Sequence, residues 1–185
     1  MDLRRFIAEV VRPAVHRERR PFEVAAYHVH GEPVSAARAQ QATFVPFDVG
    51  QAWGAPWDTT WFRLRGTVPP EWAGAEVAAL VHLGGHQMVG FSAEGLIWDQ
   101  TGKPVQGLHR RHRQHVLSRR AEGGEPIELY VEAAANPVLQ WDLGRESNFE
   151  PDYGGTPQYR LEQAEFAVVD RQVAALHLDL KSADS

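Results

Sequence analysis

Tryptophan is the residue type in this chain with the clearest capacity for ligand recognition. Trp53, Trp57 and Trp61 lie close together, and two of the other tryptophans directly precede a carboxylate. The flat apolar faces of indole rings can stack on the C–H groups of sugars, while neighbouring polar groups bind the hydroxyls. The alternative is that these large side chains fill a core or a domain interface. The candidate carbohydrate-binding residues are two sequence pairs: Trp98 with Asp99, and Trp141 with Asp142.

Histidines are the second residue type that could carry chemistry, through metal binding. His28 and His30 are separated by one residue, so both would face the same side of a strand, and His109, His112 and His115 form a second group. A zinc site needs several converging ligands with supporting contacts. No carboxylate follows the His-x-His pair at a suitable spacing. We therefore predict no metal site and no cofactor on this chain, with the histidines on half-buried strand faces.

The charge balance limits the classes of partner and reaction. The chain has 19 Lys and Arg against 24 Asp and Glu, which gives a formal net charge of −5. The basic run at 109–120 could contact phosphates, but no aromatic residue interleaves it, so we expect no nucleic-acid partner. Glycosidase catalysis needs two carboxylates across one sugar. Acidic residues are plentiful, yet their spacing singles out no such pair, and we predict no catalytic residue.

Two sequence features bear on the location of the protein. The chain contains no cysteine, which excludes a disulfide framework and a thiolate-bound metal. No apolar stretch approaches the ~20 residues of a membrane-spanning helix, and the N-terminus lacks the apolar run of a secretion signal. We therefore expect a cytoplasmic protein without membrane association.

The N-terminus predicts one amphipathic helix. Apolar residues recur there at helical spacing, Asp2 is suited to cap the start, and Pro13 disfavours continuation beyond the residue before it. A lone helix this short is marginal without tertiary packing, so its apolar stripe should pack on the body of the domain or, alternatively, on another chain. We assign residues 1–20 to this helix and 21–185 to a β-sandwich, together forming a single domain.

The rest of the chain is rich in strand-forming residues. Strand-like segments recur about every ten to fifteen residues with few helical periods between them, which is typical of an antiparallel sandwich or jelly roll. We therefore predict a mainly β fold, a jelly-roll β-sandwich with one N-terminal α-helix. Residues 136–158 predict a long surface loop, and 173–181 are ambiguous between strand and short helix. The predicted strands lie within 22–30, 61–69, 76–84, 88–105, 114–118, 127–135 and 160–170.

Several segments together resemble one protein family. They are GEPVSAARA at 31–39, PFDVGQAWGAPWDTTWFRLRGTVPPEWAG at 46–74, AEGLIWDQTGKPVQGLHRRHR at 93–113 and ELYVEAAANP at 128–137. In content and order they resemble the N-terminal domain of the class II α-mannosidases of glycoside hydrolase family 38, of the cytosolic or vacuolar type. The chain departs from the family pattern in the hairpin, where Arg111-His112-Arg113-Gln114 replaces Asn-His-Arg-Glu. The match is also loose around residues 84–91.

The resemblance implies both a fold and a role. The fold is a galactose-binding-like jelly roll, and the role is that of a non-catalytic accessory domain that supports the catalytic domain and oligomer assembly. The parent enzyme would be a retaining, zinc-dependent hydrolase of terminal α-linked mannose, with its zinc and its nucleophile in a catalytic domain absent from this chain. The expected partners are that catalytic domain or other subunits of a homo-oligomer. The candidate interface residues are Trp53, Trp57, His112, Arg113 and Asn136.

Two alternative functions stay open at this point, a carbohydrate-binding module and a free-standing interaction domain. A carbohydrate-binding module would hold mannosides or other oligosaccharides directly, and it needs exposed aromatic residues beside polar groups in a concave site. A docking domain instead needs a broad apolar patch with a polar rim. We expect Trp61 and Phe62 to pack within and around the sandwich, and Trp53 and Trp57 to cover the interface.

Overall fold

Two antiparallel β-sheets form the body of the protein. The computed structural model describes residues 2–85, 92–138 and 149–183. The strands are β1 His16–Pro21, β2 Glu23–Val29, β3 Val45–Pro46, β4 Ala52–Trp53, β5 Thr59–Thr67, β6 Val77–His82, β7 Glu94–Asp99, β8 Pro104–Leu108, β9 Gln114–Ser118, β10 Pro126–Ala134, β11 Tyr159–Arg160 and β12 Gln163–Val169. The helical elements are α1 Leu3–Phe6, a π-type turn Ile7–Val11, α2 Arg12–Ala14, α3 Ala36–Gln40, a 3-10 turn Pro70–Trp72 and α4 Arg171–Ala183.

The strand order is that of a β-sandwich in which long connections link strands of the two sheets. One sheet has the order β1-β12-β6-β9 and the other the order β3-β2-β5-β10-β7-β8, while β4 and β11 form a small separate pair. All of these pairings are antiparallel, and neighbours in a sheet are often distant in sequence. The prediction of a mainly β jelly-roll sandwich is confirmed.

The core lies between the two sheets and follows the period-two pattern of the strands. On β5, Phe62 and Leu64 are fully buried and face inward, as their alternation with arginines predicts. Gly66 continues this inward face, because a Cβ there would lie 2.7 Å from the ring of Phe166 on the opposite sheet. The missing side chain at Gly66 therefore leaves room for the ring of Phe166.

The N-terminal helix begins as predicted but passes through its proline. Asp2 accepts a hydrogen bond from the backbone N–H of Arg5 at 2.8 Å and so caps the start. The turn before Pro13 is widened, since the N–H of Arg12 donates to the carbonyl of Ile7. In a regular α-turn the proline ring would clash with the carbonyl four residues earlier, and the wider turn relieves this clash.

The predicted helical region 1–20 is too long. The helix ends at Ala14, and His16–Pro21 form β1, which pairs with β12 at the edge of the four-stranded sheet. The strand is dominated by charged residues, which also protect an edge strand from pairing with other chains. Because charged residues dominate β1, the strand lacks the apolar alternation from which the other strands were predicted.

A second helix covers the outer face of the four-stranded sheet. The ambiguous segment 173–181 lies in α4, which packs beside the N-terminal helix. Val173 and Ala174 of this helix pack on a small buried cluster formed by Val15, Ala78 and Val169. Within the part of the chain that the structure describes, no helix is long and apolar enough to cross a membrane.

A separate aromatic cluster covers the outer face of the six-stranded sheet. Trp61 is completely buried there, with Tyr130 beside it and the ring of Trp98 at 5.9 Å between centroids. Helix α3 contributes Ala39 to the same cluster. The expectation that Trp61 and Phe62 serve packing, one outside the six-stranded sheet and one between the sheets, is confirmed.

Gln106 joins the edges of the two sheets. Its side-chain amide on β8 donates to the carbonyl of Gln114 on β9, and its Oε1 lies 3.1 Å from His115 Nδ1. Burial lowers the pKa of His115. A neutral ring with its proton on Nδ1 can donate to Gln106, so this histidine serves closure of the sandwich.

Candidate interface around Trp57

Trp53 belongs to the core. Its side chain is 1 % exposed, and its Nε1 donates to the carbonyl of Leu83 at 2.9 Å. Its ring packs against Phe62 and Tyr159, each at 5.5 Å between centroids. An indole enclosed in this way has no surface left for another domain, so the prediction of Trp53 as an interface residue is wrong.

Trp57, in contrast, is exposed and held by two hydrogen bonds. Its side chain is 43 % exposed, and its backbone adopts the left-handed conformation with φ of 71°. The indole Nε1 donates to the carbonyl of Phe149 at 2.6 Å, and the backbone N–H donates to the carbonyl of Ala135 at 2.9 Å. A left-handed conformation is costly for a residue with a side chain. The surrounding hydrogen bonds therefore hold Trp57 in a position that its own preferences oppose.

Two further aromatic residues are exposed beside Trp57. Phe149 and Tyr153 both belong to the segment 149–158, and about half of each side chain is exposed. Backbone hydrogen bonds attach this segment to the chain around Trp57, with Asp152 N–H donating to Pro56 O at 3.2 Å. We call Trp57, Phe149, Tyr153 and the adjacent His30 the Trp57 surface.

Asp58 is the buried anchor of the Trp57 surface. Its carboxylate is nearly inaccessible to solvent and lies 2.8 Å from His30 Nδ1. It also accepts a hydrogen bond from the backbone N–H of Gly154, at 3.0 Å to Oδ2. The ring of His30 packs directly on Gly154. One carboxylate thus joins the start of β5, the end of β2 and the segment that carries Phe149 and Tyr153.

The predicted pair Trp98 and Asp99 does not form one site. Trp98 faces outward from the six-stranded sheet, where its Nε1 donates to Glu132 Oε2 at 3.1 Å. Asp99 is paired with the inward-facing Leu129 and lines a groove of about 970 Å³ between the two sheets. Successive strand residues point to opposite faces, so the indole and the carboxylate cannot contact the same ligand.

The carboxylate of Asp99 is already used within its own hairpin. It accepts hydrogen bonds from the hydroxyl and the N–H of Thr101, at 2.6 and 2.8 Å, and from the N–H of Lys103 at 3.0 Å. The bond from the Thr101 hydroxyl is the main cause of a lowered pKa at Asp99. Its role in the structure is to close the β7–β8 turn. Trp141 and Asp142, the other predicted pair, lie outside the described residues.

The remaining predicted interface residues have different environments. His112 and Arg113 are exposed on the connection between β8 and β9, and among the described residues no contact links them to the Trp57 surface. Asn136 is half-buried and donates to the carbonyl of Ser92 at 2.9 Å, while its own carbonyl accepts from Tyr159. The structure therefore shows an internal role for Asn136.

The histidines do not converge in the part of the chain that is described. In residues 2–85, 92–138 and 149–183, no group of three or more His, Asp or Glu side chains is placed to hold a metal ion. His28 lies 2.9 Å from the hydroxyl of Thr60, and burial lowers its pKa. His30 bonds to Asp58, so the two histidines of the His-x-His pair have separate protein partners.

Sequence reasoning missed Phe149, Tyr153 and the anchor Asp58. The only available signal was the Gly- and Pro-rich loop at 136–158, because loops of that length often carry function. Asp58 follows Trp57 directly, yet nothing in the local sequence indicates that its carboxylate reaches Gly154.

Comparison with known proteins identifies the family of this chain. The family model described as "Alpha-mannosidase, jelly roll domain" matches residues 20–167. The chain therefore belongs to the family of α-mannosidase jelly-roll domains, and the resemblance found in the sequence is confirmed.

Two curated relatives are much longer than this chain, and the match covers only a small part of each. The chain is 36% identical to alpha-mannosidase 2C1 of Mus musculus over 149 residues, which is 78% of this chain and 13% of the relative. It is 34% identical to alpha-mannosidase 2C1 of Homo sapiens over 166 residues, which is 87% of this chain and 15% of the relative. The chain thus spans about a seventh of these proteins.

A solved structure shares the fold. It is a β-glucuronidase from Ruminococcus gnavus in complex with D-glucuronic acid, with a TM-score of 0.51 and 11% sequence identity. The similarity covers 83% of this chain and 30% of the other. At this level of identity the likeness concerns the fold alone.

Proposed function

We propose that this chain is the non-catalytic N-terminal accessory domain of an α-mannosidase of glycoside hydrolase family 38. In this proposal the Trp57 surface packs against the catalytic domain and helps to hold the enzyme and its oligomer together. The observation that carries the proposal is a group of exposed aromatic residues, in which Trp57 is hydrogen-bonded to the segment that carries Phe149 and Tyr153. The family match to a small part of much longer α-mannosidases supports it.

The chemistry of the Trp57 surface suits a protein partner better than a sugar. Exposed aromatic residues are enriched where interfaces bind most strongly, and a preordered surface loses little entropy on binding. A sugar would also need free polar groups beside the rings. The indole N–H of Trp57 is already bonded to Phe149, and the carboxylate of Asp58 is buried beneath His30 and Gly154.

The reaction itself belongs to the catalytic domain in this proposal. Zinc, the nucleophile and the selection of terminal α-linked mannose are functions of that domain, and this chain alone hydrolyses nothing. The simplest check is hydrolysis of 4-nitrophenyl α-mannoside by the purified chain, with and without added zinc. Turnover that follows the chain through purification would contradict the assignment.

The docking experiment uses an α-mannosidase catalytic fragment from the source organism. We expect the purified chain to bind this fragment in sedimentation velocity, and we expect Trp57→Ala to weaken the complex at least ~10-fold, as for a central interface tryptophan. Val105→Ala is the matched control, because Val105 is an exposed apolar residue on the edge strand β8. No complex, or equal loss in both variants, would overturn the proposal.

Direct sugar binding is tested in parallel. Tryptophan fluorescence is titrated with mannose and short α-mannosides up to millimolar concentrations, and we expect no saturable change. A saturable shift that disappears in Trp98→Ala would instead assign the chain as a carbohydrate-binding module using the outer face of the six-stranded sheet.

A further inference from the structure

A groove on the opposite side of the fold from the aromatic cluster has an unusual charge. It measures about 710 Å³ and has four arginines and two carboxylates among its lining residues. Its lining charge is therefore +2, from four positive and two negative groups, whereas the whole chain carries −5. We call it the arginine groove, and its charged residues are Arg17, Arg119, Arg120, Arg171, Glu76 and Asp170.

Glu76 is the buried centre of the arginine groove. Its side chain is only 6 % exposed, and its Oε2 accepts from Arg171 Nε at 2.6 Å and lies 3.4 Å from Arg119 Nη1. A buried carboxylate is costly unless it is paired, so these two guanidinium groups are fixed by the need to neutralise it. Yet the side chains of Arg119 and Arg171 remain 74 % and 60 % exposed, and their outer edges face solvent.

The other arginines are placed around this centre by different elements. Arg17 on β1 forms an ion pair with Asp170, whose carboxylate also caps the start of α4. Arg171 donates to the carbonyl of Arg119 at 3.2 Å, which holds the loop after β9 against α4. Arg120 lines the groove beside them. A guanidinium carries five N–H donors, more than these contacts use, and all four arginines line the groove.

We propose that the arginine groove binds a dianionic phosphate group, either free phosphate or a phosphate ester on a small polar molecule. Guanidinium groups match the geometry of phosphate oxygens with paired N–H donors, and partial immobilisation by Glu76 and Asp170 reduces the entropy lost on binding. The volume of the groove exceeds that of a phosphate ion and can hold a phosphorylated monosaccharide. This site does not depend on the role of the Trp57 surface.

The test is isothermal titration at constant ionic strength with inorganic phosphate, glucose 6-phosphate and sulfate as probes. We expect saturable binding of a phosphate-bearing probe below about 10 mM, weaker binding of sulfate, and a loss of at least ~10-fold in Arg120→Gln. Arg120 suits this test because, among the described residues, the ion pairs of Glu76 are with Arg119 and Arg171, and these stay intact. Arg38→Gln on α3 is the control, since it removes the same charge from an exposed site elsewhere.

Each outcome has a defined meaning. Tighter binding of glucose 6-phosphate than of phosphate assigns the site to esters, and tighter binding of phosphate assigns it to free phosphate. Equal affinity shows that the site recognises the phosphate group alone. Arg119→Lys separates charge from geometry, because lysine keeps the positive charge without the planar fork, and we expect an intermediate loss. Absence of saturable binding, equal binding of sulfate, or an equal loss in Arg38→Gln would overturn the proposal.

Discussion

The segment around Trp53 and the Trp57 surface use the same residue type four positions apart, but the two indoles meet opposite environments. Trp53 lies in β4 and is enclosed by Phe62 and Tyr159, whereas Trp57 lies just before β5 and is exposed. Both indole N–H groups donate to a backbone carbonyl. Hydrogen bonding therefore does not distinguish them, and solvent exposure does.

The backbone between the two tryptophans explains the difference. Gly54 and Trp57 both have a φ of 71°. Glycine adopts this left-handed conformation without cost, while Trp57 adopts it against its steric preference. The comparison teaches that the same side chain stabilises the core at one position and is held exposed at the surface at the other.

The largest expected effect is a difference in stability between the alanine variants of the two tryptophans. Trp53→Ala removes a fully buried ring and should lower the free energy of unfolding by about 3–5 kcal/mol. Trp57→Ala removes a half-exposed ring and one hydrogen bond, and should cost about 1–2 kcal/mol. Urea denaturation followed by far-UV circular dichroism measures both. Equal losses would show that the Trp57 surface is part of the core.

The second prediction concerns Gly54, which lies between Trp53 and Trp57 in the sequence. In Gly54→Ala the new Cβ would lie 2.5 Å from the Cβ of Ala135, in addition to the left-handed conformation. Gly50→Ala is the matched control, because Gly50 has a φ of 94° but no atom within 4 Å of a Cβ. We expect Gly54→Ala to be less stable than the control by about 1–3 kcal/mol, the cost of overpacking. Indistinguishable unfolding curves would remove the steric argument.

The third prediction is that glycine, which usually destabilises a strand or helix relative to alanine, is the more stable replacement at Trp57. At Trp57 we expect the glycine variant to be more stable than the alanine variant by about 1 kcal/mol, because glycine adopts a positive φ freely. Trp98 on β7 is the control position, and there we expect alanine to be the more stable replacement. The urea midpoints of unfolding of the four variants measure these differences. If alanine were the more stable replacement at both positions, the backbone strain at Trp57 would be contradicted.

The smallest effect is a pH dependence that should arise at the sheet edges and be the same in the Trp53 and Trp57 variants. Burial lowers the pKa of His16 and His115, which bond to the glutamines at the sheet edges. Below pH ~6.5 the unfolded chain takes up protons at these positions before the folded chain does, so stability should fall as the pH decreases. His115→Gln should flatten this dependence in urea titrations between about pH 7.5 and pH 5.5. An unchanged slope would place the dependence elsewhere.

The pattern of apolar residues predicted most strands, but it failed at two places for identifiable reasons. β1 consists largely of charged residues on a sheet edge, so it lacks the alternation that marks half-buried strands. α4 carries valine, alanine and leucine at a spacing that suits either structure over so short a stretch. In both cases the neighbouring strand or helix decides the conformation.

The candidate site was predicted less completely than the fold. Trp53 and Trp57 were both assigned to the interface, because a cluster of tryptophans does not reveal which rings are enclosed. The structure shows that Trp57 is exposed and that Trp53 is not. The pairing of Trp98 with Asp99 ignored the alternation of strand side chains, which separates them. Phe149 and Tyr153 join the surface only through hydrogen bonds to residues far away in sequence.

The sequence by itself determined the mainly β class, most of the strands, the inward face of β5 and the family to which the chain belongs. These follow from local periodicity and from motifs that need no knowledge of distant contacts. Only the tertiary structure decided that Trp57 is exposed and held left-handed, that Asp58 anchors the neighbouring segment, and that four arginines from three parts of the chain share one groove. The physical reason is that exposure, strain and charge clustering depend on which distant parts of the chain pack together.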